Sequence, residues 1–519
     1  MNEGYFLVHD LGTSSDKATL YDTEGKKIDS IVYRYKTYHE RPQWAEQSPE
    51  EWWRAVCETT RQLLKKTKVS PKEILAVSFS GQMMGVIPIG KDGKLLMDKV
   101  IIWEDMRAVK EAKHLEENIG WEEFYKRTGG GMALEMYPLL KILWLKNNLP
   151  KIYEETHKVL QCKDYIAFKL TGKMKTEYTE ASNTGCLNIW KKDWDEELLS
   201  SLGLDVDKLP EIQASHEIVG EVTEEASRAT GLRAGTPVVS GAGDVPASSL
   251  GAGLTKEGIA YISTGTAWWS GILTNQPMIS PEYRITTLCS MIPGKYTPHN
   301  FVHSGSACIE WFIEKFLTIE KEISEKLGVT IYKFIEKEAE NALLGARGLV
   351  FLPYLMGGGA PHQKEWIKGA FLGLTLAHEK SHLIRAIMEG VAFTIRNVIE
   401  IFEREGAKIN VIKMIGGSSL NVVWRKITAD ILGKPIYVSQ YALESTGLAA
   451  AVAAGIGVGV YKSYDFIDKI SSRNVIEVEP DMKNHEAYTK LYELYRDLWK
   501  KLDDFYRMLY DTCLELGII

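Results

Sequence analysis

The sequence predicts an α/β protein of two large domains of related build, each a mixed sheet with helices on its faces. Three observations predict this. The 519 residues, 45% hydrophobic and 25% charged, exceed what one core usually holds and suit two domains of about 250 residues. Strand-like and helix-like patterns follow one another in an order that opens on antiparallel strands. One strand-turn-strand also recurs, as FLVHDLGTSSDKATLY early in the chain and AYISTGTAWWSGIL just past its midpoint. Each copy has an apolar strand, a Gly-Thr turn (Gly12-Thr13 and Gly265-Thr266) and a returning strand. Two related lobes would thereby present equivalent glycine turns to a shared cleft.

In order, Tyr5 to Val8 reads as a strand, HDLGTSSD as a turn, and Lys17 to Tyr21 and Ile28 to Tyr35 as returning strands. Pro49 opens a helix through Trp52, Trp53 and Val56, with Ser48 as N-cap and Glu51 completing a capping box. A buried strand, Ile74 to Phe79, runs into SGQMMG. The boundary falls at GAGLTKEG, dividing the chain into 1–253 and 254–519. Beyond it come a strand in GLVFLPYL, a helix from about His378 to Phe402, and a strand at Val411 to Ile415. The turn GGSS, a helix over Asn421 to Leu432, an Ala-rich helix from about Ser445 to Ala454 and a terminal helix from Glu486 to Leu516 complete the order.

A formal net charge of -7 leaves no basic footprint for nucleic acid or an anionic membrane, so a small-molecule partner fits better. The six cysteines are scattered, without CxxC pairs or metal-ligand spacing, and read as free thiols of a reducing compartment. The start MNEGYFLVHD has no basic region followed by a long apolar run, and no later stretch approaches about 18 uninterrupted apolar residues, so a cytoplasmic protein without membrane attachment is expected.

A nucleoside triphosphate needs converging backbone N–H groups, and glycine lets the main chain come close. DLGTSS meets that need: Gly12 opens the turn, Thr13, Ser14 and Ser15 offer hydroxyls and amides, Lys17 reaches phosphate charge, and Asp10 can hold Mg2+ through water. Gly85 to Lys91 has the spacing of a P-loop up to its last position. However, Asp92 stands where Ser or Thr belongs, and Pro88 among Val86, Ile87 and Ile89 reads as a strand ending in a GKDGK hairpin turn. Phosphoryl transfer further asks for a base that accepts an alcohol proton. In PVVSGAGDVPASS an apolar strand ends in a glycine turn that delivers Asp244 at a strand's carboxyl end, where α/β proteins bind ligands; a helix N-cap is the plainer role for it. Gln82 and Asp105 can bond hydroxyls and Trp103 can stack on a sugar, although a core Trp103 and a surface Asp105–Arg107 pair are equally ordinary readings.

These segments, in this order, resemble the FGGY carbohydrate kinases over nearly the whole chain. DLGTSSDKA is similar to the family's first phosphate loop, SGQMMG and WEDMRA to its sugar-site segments, and GAGDVPASSLGAG to the segment carrying the catalytic aspartate. STGTAWW resembles the second phosphate loop, FLPYLMGGGAPHQKEWIKGAFLGLTLAH with RAIMEG the C-terminal signature, and GGSSLNVVWRKITADILGKPI the adenosine-binding loop and helix. The resemblance implies two ribonuclease-H-like, actin-type ATPase domains with a cleft between them, binding ATP, Mg2+ and a sugar, and it leaves room for a homodimer. It makes Asp244 the catalytic base and Asp10 the acid associated with Mg2+. It implies nucleotide contacts at Gly12, Thr13, Ser14, Lys17, Gly265, Thr266, Ser306, Glu310, Gly416, Gly417 and Asn421, and sugar contacts at Gln82, Met83, Trp103, Asp105 and Asp244.

The motif set is nearest to that of xylulokinases, so a ketopentose such as xylulose is the expected acceptor. Two positions depart from that pattern: Met84 stands where xylulokinases usually carry His, and Val245 where Asn or Gln is common. Each change removes a polar partner for a sugar hydroxyl. Met83-Met84 also replaces the Arg-Glu pair of glycerol kinases. Gluconate, erythritol, ribulose and hexuloses remain as alternative acceptors, and an actin-like ATPase without sugar dependence as an alternative class.

Overall fold

A computed structural model describes residues 4–358, 364 and 366–518. Gly359 to Gln363 and Glu365, part of the segment compared above with the C-terminal signature, lie outside the described residues. The chain forms two compact units. One comprises the residues up to Thr255 together with Leu273–Pro298 and Glu444–Ser471; the other comprises Lys256–Ile272, His299–Leu443 and the residues from Ser472 onward.

In the first unit β1 (Tyr5–Leu11), β2 (Ser15–Asp22) and β3 (Lys27–Arg34) form an antiparallel meander. On the other side of β1 lies β4 (Ile74–Gly81), parallel to it and delivered by the helix α1 (Pro49–Thr67). Then follow β5 (Ile218–Glu221) and β6 (Pro237–Val239), giving the order β5-β6-β4-β1-β2-β3, with only β6, β4 and β1 mutually parallel. The apolar runs that predicted β1 and β4 are buried except for the part-buried Tyr5 and Leu75, as strands covered on both faces should be.

The second unit repeats that order. Here β7 (Ile259–Thr264) and β8 (Trp268–Ile272) are the hairpin, β9 (Tyr296–Val302) pairs with β8 through His299 to Val302, and β10 (Val411–Ile415) runs parallel to β7. Then β11 (Ile436–Val438) is parallel to β10, and β12 (Ile476–Val478) is antiparallel to β11. Strand for strand and direction for direction, β12-β11-β10-β7-β8-β9 matches β5-β6-β4-β1-β2-β3. The recurring Gly-Thr hairpin is therefore the visible part of a duplicated ribonuclease-H-like sheet, the architecture the resemblance implies.

The helix over 378–402 is observed at Lys380–Arg404, that over 421–432 at Val422–Leu432, and the terminal helix at Met482–Glu515. Two local expectations need correction. Ser48 sits at the N-terminus of α1 but its side chain caps nothing; the capping box forms instead one element later, where Ser70 and Glu73 close a single helical turn. Pro at the first position of α1 already removes one orphan N–H, which weakens the demand for a cap. GLVFLPYL supplies only a three-residue strand, Val350–Leu352, and GGSS is a short 3-10 turn, Gly417–Leu420. The Gly85–Lys91 segment is the strand and hairpin expected of it, Ile87–Gly90 turning at Gly93, and not a loop opening a helix.

Candidate active site

Strand register in the first unit gathers three of the singled-out segments at one sheet edge. Leu11 at the end of β1 pairs with Gly81 at the end of β4, and Gly81 pairs in turn with Gly243. The chain therefore leaves the sheet at neighbouring points into the Gly12 turn, into Gln82 and directly into α3 (Asp244–Gly251), while a further helix, α2 (Pro138–Asn148), lies between β4 and α3 in the chain. Carboxyl ends of parallel strands are where such folds bind ligands.

Asp244 is the first residue of α3 and not its N-cap, which is Gly243, so the capping role considered for it is not the one observed; its carboxyl lies in the positive first turn of the helix. Its Oδ1 accepts the Val245 N–H at 2.8 Å. The surrounding protein strips water from this part-buried carboxyl and pushes its pKa up to about 7, and the charge of Asp10 adds to the rise. Burial likewise raises Asp10, while Lys17 and a hydrogen bond from the Thr446 hydroxyl, 3.0 Å from Oδ2, pull it back down. Two carboxylates that repel one another favour a cation between their charges and their ligand. Carboxylate oxygens such as these are the hard donors that Mg2+ takes while keeping waters and phosphate oxygens; among the described residues no group of three His, Cys, Asp or Glu could hold a metal ion.

Lys17 lies opposite Asp10 in the register. Its ammonium donates to Glu444 at 3.1 Å, and Lys27 donates to the other oxygen of the same carboxylate at 2.6 Å. Glu444 and Thr446 begin the Ala-rich helix Ser445–Gly457, which packs on α3, and neither residue is singled out by the sequence. Their contacts with Asp10 and Lys17 span more than four hundred positions, and an acid before an Ala-rich helix carries no local signal of such a role. The Gly12 turn itself is tied down by Tyr35, whose hydroxyl donates to the Gly12 carbonyl, and by Gln47, which donates to the Thr13 carbonyl at 2.5 Å. Ser14 is exposed at the tip.

Trp103 is 36% exposed, not core, and its indole N–H donates to the Thr13 hydroxyl at 2.9 Å. Gln82 is buried; its amide donates to Gln47 at 2.8 Å and its own Oε1 has no hydrogen-bond partner. Met83 lies beside it, its sulfur 3.7 Å from the Asn183 amide nitrogen, and Asn183 Oδ1 also lacks a partner. Buried polar atoms left unpaired in this way are groups that ligand hydroxyls can satisfy. Asp105 and Arg107 do form a pair, but a buried one and not a surface one. Arg107 binds Asp105 through Nε and Nη2 at 2.7–3.0 Å, Glu46 accepts from the same guanidinium at 2.7 Å, and Asp105 further accepts the Ala45 N–H at 2.6 Å. The Asp105 carboxylate thus holds its own loop in place.

In the second unit Gly265 and Thr266 form the exposed β7–β8 turn; the Gly265 carbonyl accepts the Ser306 N–H at 3.2 Å and the Thr266 carbonyl the Ala307 N–H at 3.1 Å. The Ser306 hydroxyl takes the Trp268 indole N–H at 2.9 Å and lies 2.7 Å from the Ser418 hydroxyl. Gly416 adopts φ +89 with its Cα packed on Thr264, where a side chain would press on backbone, and Thr264 bonds both Ile415 and Ser419. The Gly-Thr turn, Ser306 and the Gly416-Gly417 turn are thus one connected network. Glu310 accepts a hydrogen bond from Tyr332 at 2.7 Å, and Asn421 caps the helix Val422–Leu432 by accepting the Trp424 N–H at 2.8 Å.

Comparisons with known proteins cover nearly the whole chain. Residues 5–251 match the N-terminal domain, and residues 260–458 the C-terminal domain, of the FGGY family of carbohydrate kinases. A xylulose kinase of Bacillus subtilis is 29% identical over 504 residues, 96% of this chain and 97% of its own length. A gluconokinase of the same organism is 32% identical over 511 residues, 98% of each. The crystal structure of a ligand-bound xylulose kinase from Lactobacillus acidophilus aligns with a TM-score of 0.89 at 28% identity, over 98% of this chain and 100% of that one.

Proposed function

Because this chain belongs to the FGGY family of carbohydrate kinases and phosphorylates an alcohol group of a small sugar, we propose as its acceptor a ketopentose such as xylulose, with Asp244 as general base. The observation that carries the assignment of the base is a carboxyl at a strand-to-helix turn whose pKa is pushed up to about 7, chiefly by burial. A base poised near the working pH combines an adequate ionised fraction with an adequate pull on a hydroxyl proton. The sugar hydroxyl gives its proton to Asp244 as its oxygen bonds to the γ-phosphorus. The bond from that phosphorus to the bridging oxygen breaks, and ADP leaves with the electron pair.

Asp10 would hold Mg2+ through water beside the Gly12, Thr13, Ser14 and Lys17 turn, and the ion would supply neutralisation of the phosphate charge. In the second unit Gly265, Thr266, Ser306, Gly416 and Gly417 are the nucleotide contacts we assign, with Glu310 and Asn421 flanking them. Gln82 and Met83 would face the acceptor, and Trp103 would offer it an aromatic edge. The relatives named xylulose kinase support the ketopentose. A relative named gluconokinase at comparable identity supports gluconate as the second reading.

A coupled assay of ADP release tests the base. Asp244→Ala should lower sugar-dependent turnover by at least about 10³-fold while ATP binding, followed by calorimetry, changes little. In the wild type kcat, measured at saturating sugar, should climb through about pH 7 and level off above it, since only the ionised carboxyl accepts a proton. Near-normal turnover in the variant would overturn the assignment.

A further inference from the structure

Lys141 is fully buried on α2, a helix whose other residues in that stretch, Leu139, Leu140, Ile142, Leu143 and Leu145, are apolar and buried too. An ammonium in such surroundings is costly unless its protons are placed, and none of its close partners is a carboxylate. Its Nζ donates instead to three backbone carbonyls: Ile102 at 2.8 Å, Trp103 at 3.4 Å and Met84 at 3.5 Å. Those carbonyls belong to the two separate turns, Gln82 to Gly85 and Ile102 to Asp105, assigned above to the acceptor.

One of those residues is held in an unfavourable conformation. Met84 has φ +64, in the left-handed region that a non-glycine side chain seldom occupies. Such a residue persists only where its surroundings hold it. Its N–H is taken by Gln161 Oε1 at 2.6 Å and its carbonyl by Lys141. The neighbouring Met83 and Gln82, with their unpaired polar surroundings, depend on that geometry for the direction in which they point.

We propose that Lys141 is a positioning residue for the acceptor site, its ammonium pinning the strained Met84 turn to the Trp103 loop so that sugar affinity depends on its positive charge. The proposal rests on the acceptor-site reading of those two turns.

The charged groups that face Lys141 are Asp105 and Arg107 on the 102–107 loop, and Glu46 stands behind them on the same guanidinium. Burial lowers the lysine pKa to about 7; Asp105 opposes that fall and Arg107 adds to it. The clamp is therefore charged below pH 7 and loses its proton above it. A neutral amine keeps two donors for three carbonyls and holds them less strongly.

Two variants and two measurements test this. Hydrogen exchange of Lys141→Met should quicken in peptides covering 83–86 and 102–105 while the rest of the first unit exchanges as before. With D-xylulose and Mg-ATP, its KM for sugar should rise at least tenfold and its KM for ATP less than twofold. In the wild type the sugar KM should rise several-fold from pH 7 to pH 9. In Lys141→Arg, whose guanidinium stays protonated, that rise should be absent. Unchanged exchange in both peptides, exchange loosened throughout the unit, or equal shifts in the two KM values would overturn the proposal. Should no sugar drive ADP release from the wild type, the acceptor reading fails by itself, and the exchange experiment still decides whether Lys141 pins the two turns.

Discussion

At the scale of single residues, a carboxyl whose pKa is raised by burial opposes folding. Asp244 in the folded chain binds its proton more tightly than the free side chain, whose pKa is near 3.8. Below about pH 4 it is protonated in both states and costs nothing; as pH rises toward 7 the unfolded chain ionises first, and stability falls. Above pH 7 the full cost is present, on the order of 4 kcal/mol from the displacement of the pKa. Asp244→Asn should therefore raise the melting temperature at pH 8 and leave it nearly unchanged at pH 4, as read by calorimetry. The positions of Asp10 and Asp244 at strand ends were legible because Asp10 closes an apolar run two residues before Gly12 and Asp244 directly follows Gly243. Those of Thr446 and Glu444 were not. Their partners are 436 and 427 positions away, and only tertiary folding brings them together. Asp105 shows the opposite error: an acid beside Arg107 in a polar turn reads as exposed, whereas the pair is buried under Trp44, over whose ring the guanidinium stacks at 3.5 Å.

At the scale of elements, α3 and the helix Ser445–Gly457 form one of the closest packings in the first unit, and they carry Asp244 and Thr446. Their approach depends on Gly251, where an added Cβ would overlap the Ser445 carbonyl. Gly251 lies outside the left-handed region, so a substitution is penalised by overlap and not by backbone strain. Gly251→Ala should cost about 1–3 kcal/mol in denaturant unfolding and reduce turnover by displacing one or both helices; wild-type stability would show that the contact is looser than described. Helices were legible to within a few residues because apolar spacing and Asn or Gly at their ends speak locally. Short strands such as Val350–Leu352 were overestimated because an apolar run does not disclose how much of it finds a partner. The absent Ser48 cap has the same origin: a capping box is a pattern of residue types, and the bond forms only if the side chains turn toward the helix.

At the scale of the whole molecule, two sheets that share the order and direction of six strands explain why one hairpin motif occurs twice. The repeat was legible from two Gly-Thr turns; the remaining strands of each sheet were not, because their sequences have diverged into unrelated apolar runs. No helix among the described residues is long and apolar enough to cross a membrane. Kinase chemistry follows from family membership across both domains, whereas the acceptor choice rests on the site proposed above around Gln82, Met83, Met84 and Val245. In that proposed site Met84 and Val245 offer no side-chain hydrogen bond, so selectivity would come from the unpaired oxygens of Gln82 and Asn183 and from shape.

The most direct measurement is the initial rate of ADP release, in the presence of Mg-ATP, with D-xylulose, D-ribulose, D-gluconate, erythritol and a hexulose compared at equal concentration. The account predicts that D-xylulose gives the highest kcat/KM and that Asp244→Ala abolishes its rate. A faster reaction with gluconate would contradict the ketopentose assignment, and a rate indifferent to every sugar would contradict the mechanism itself.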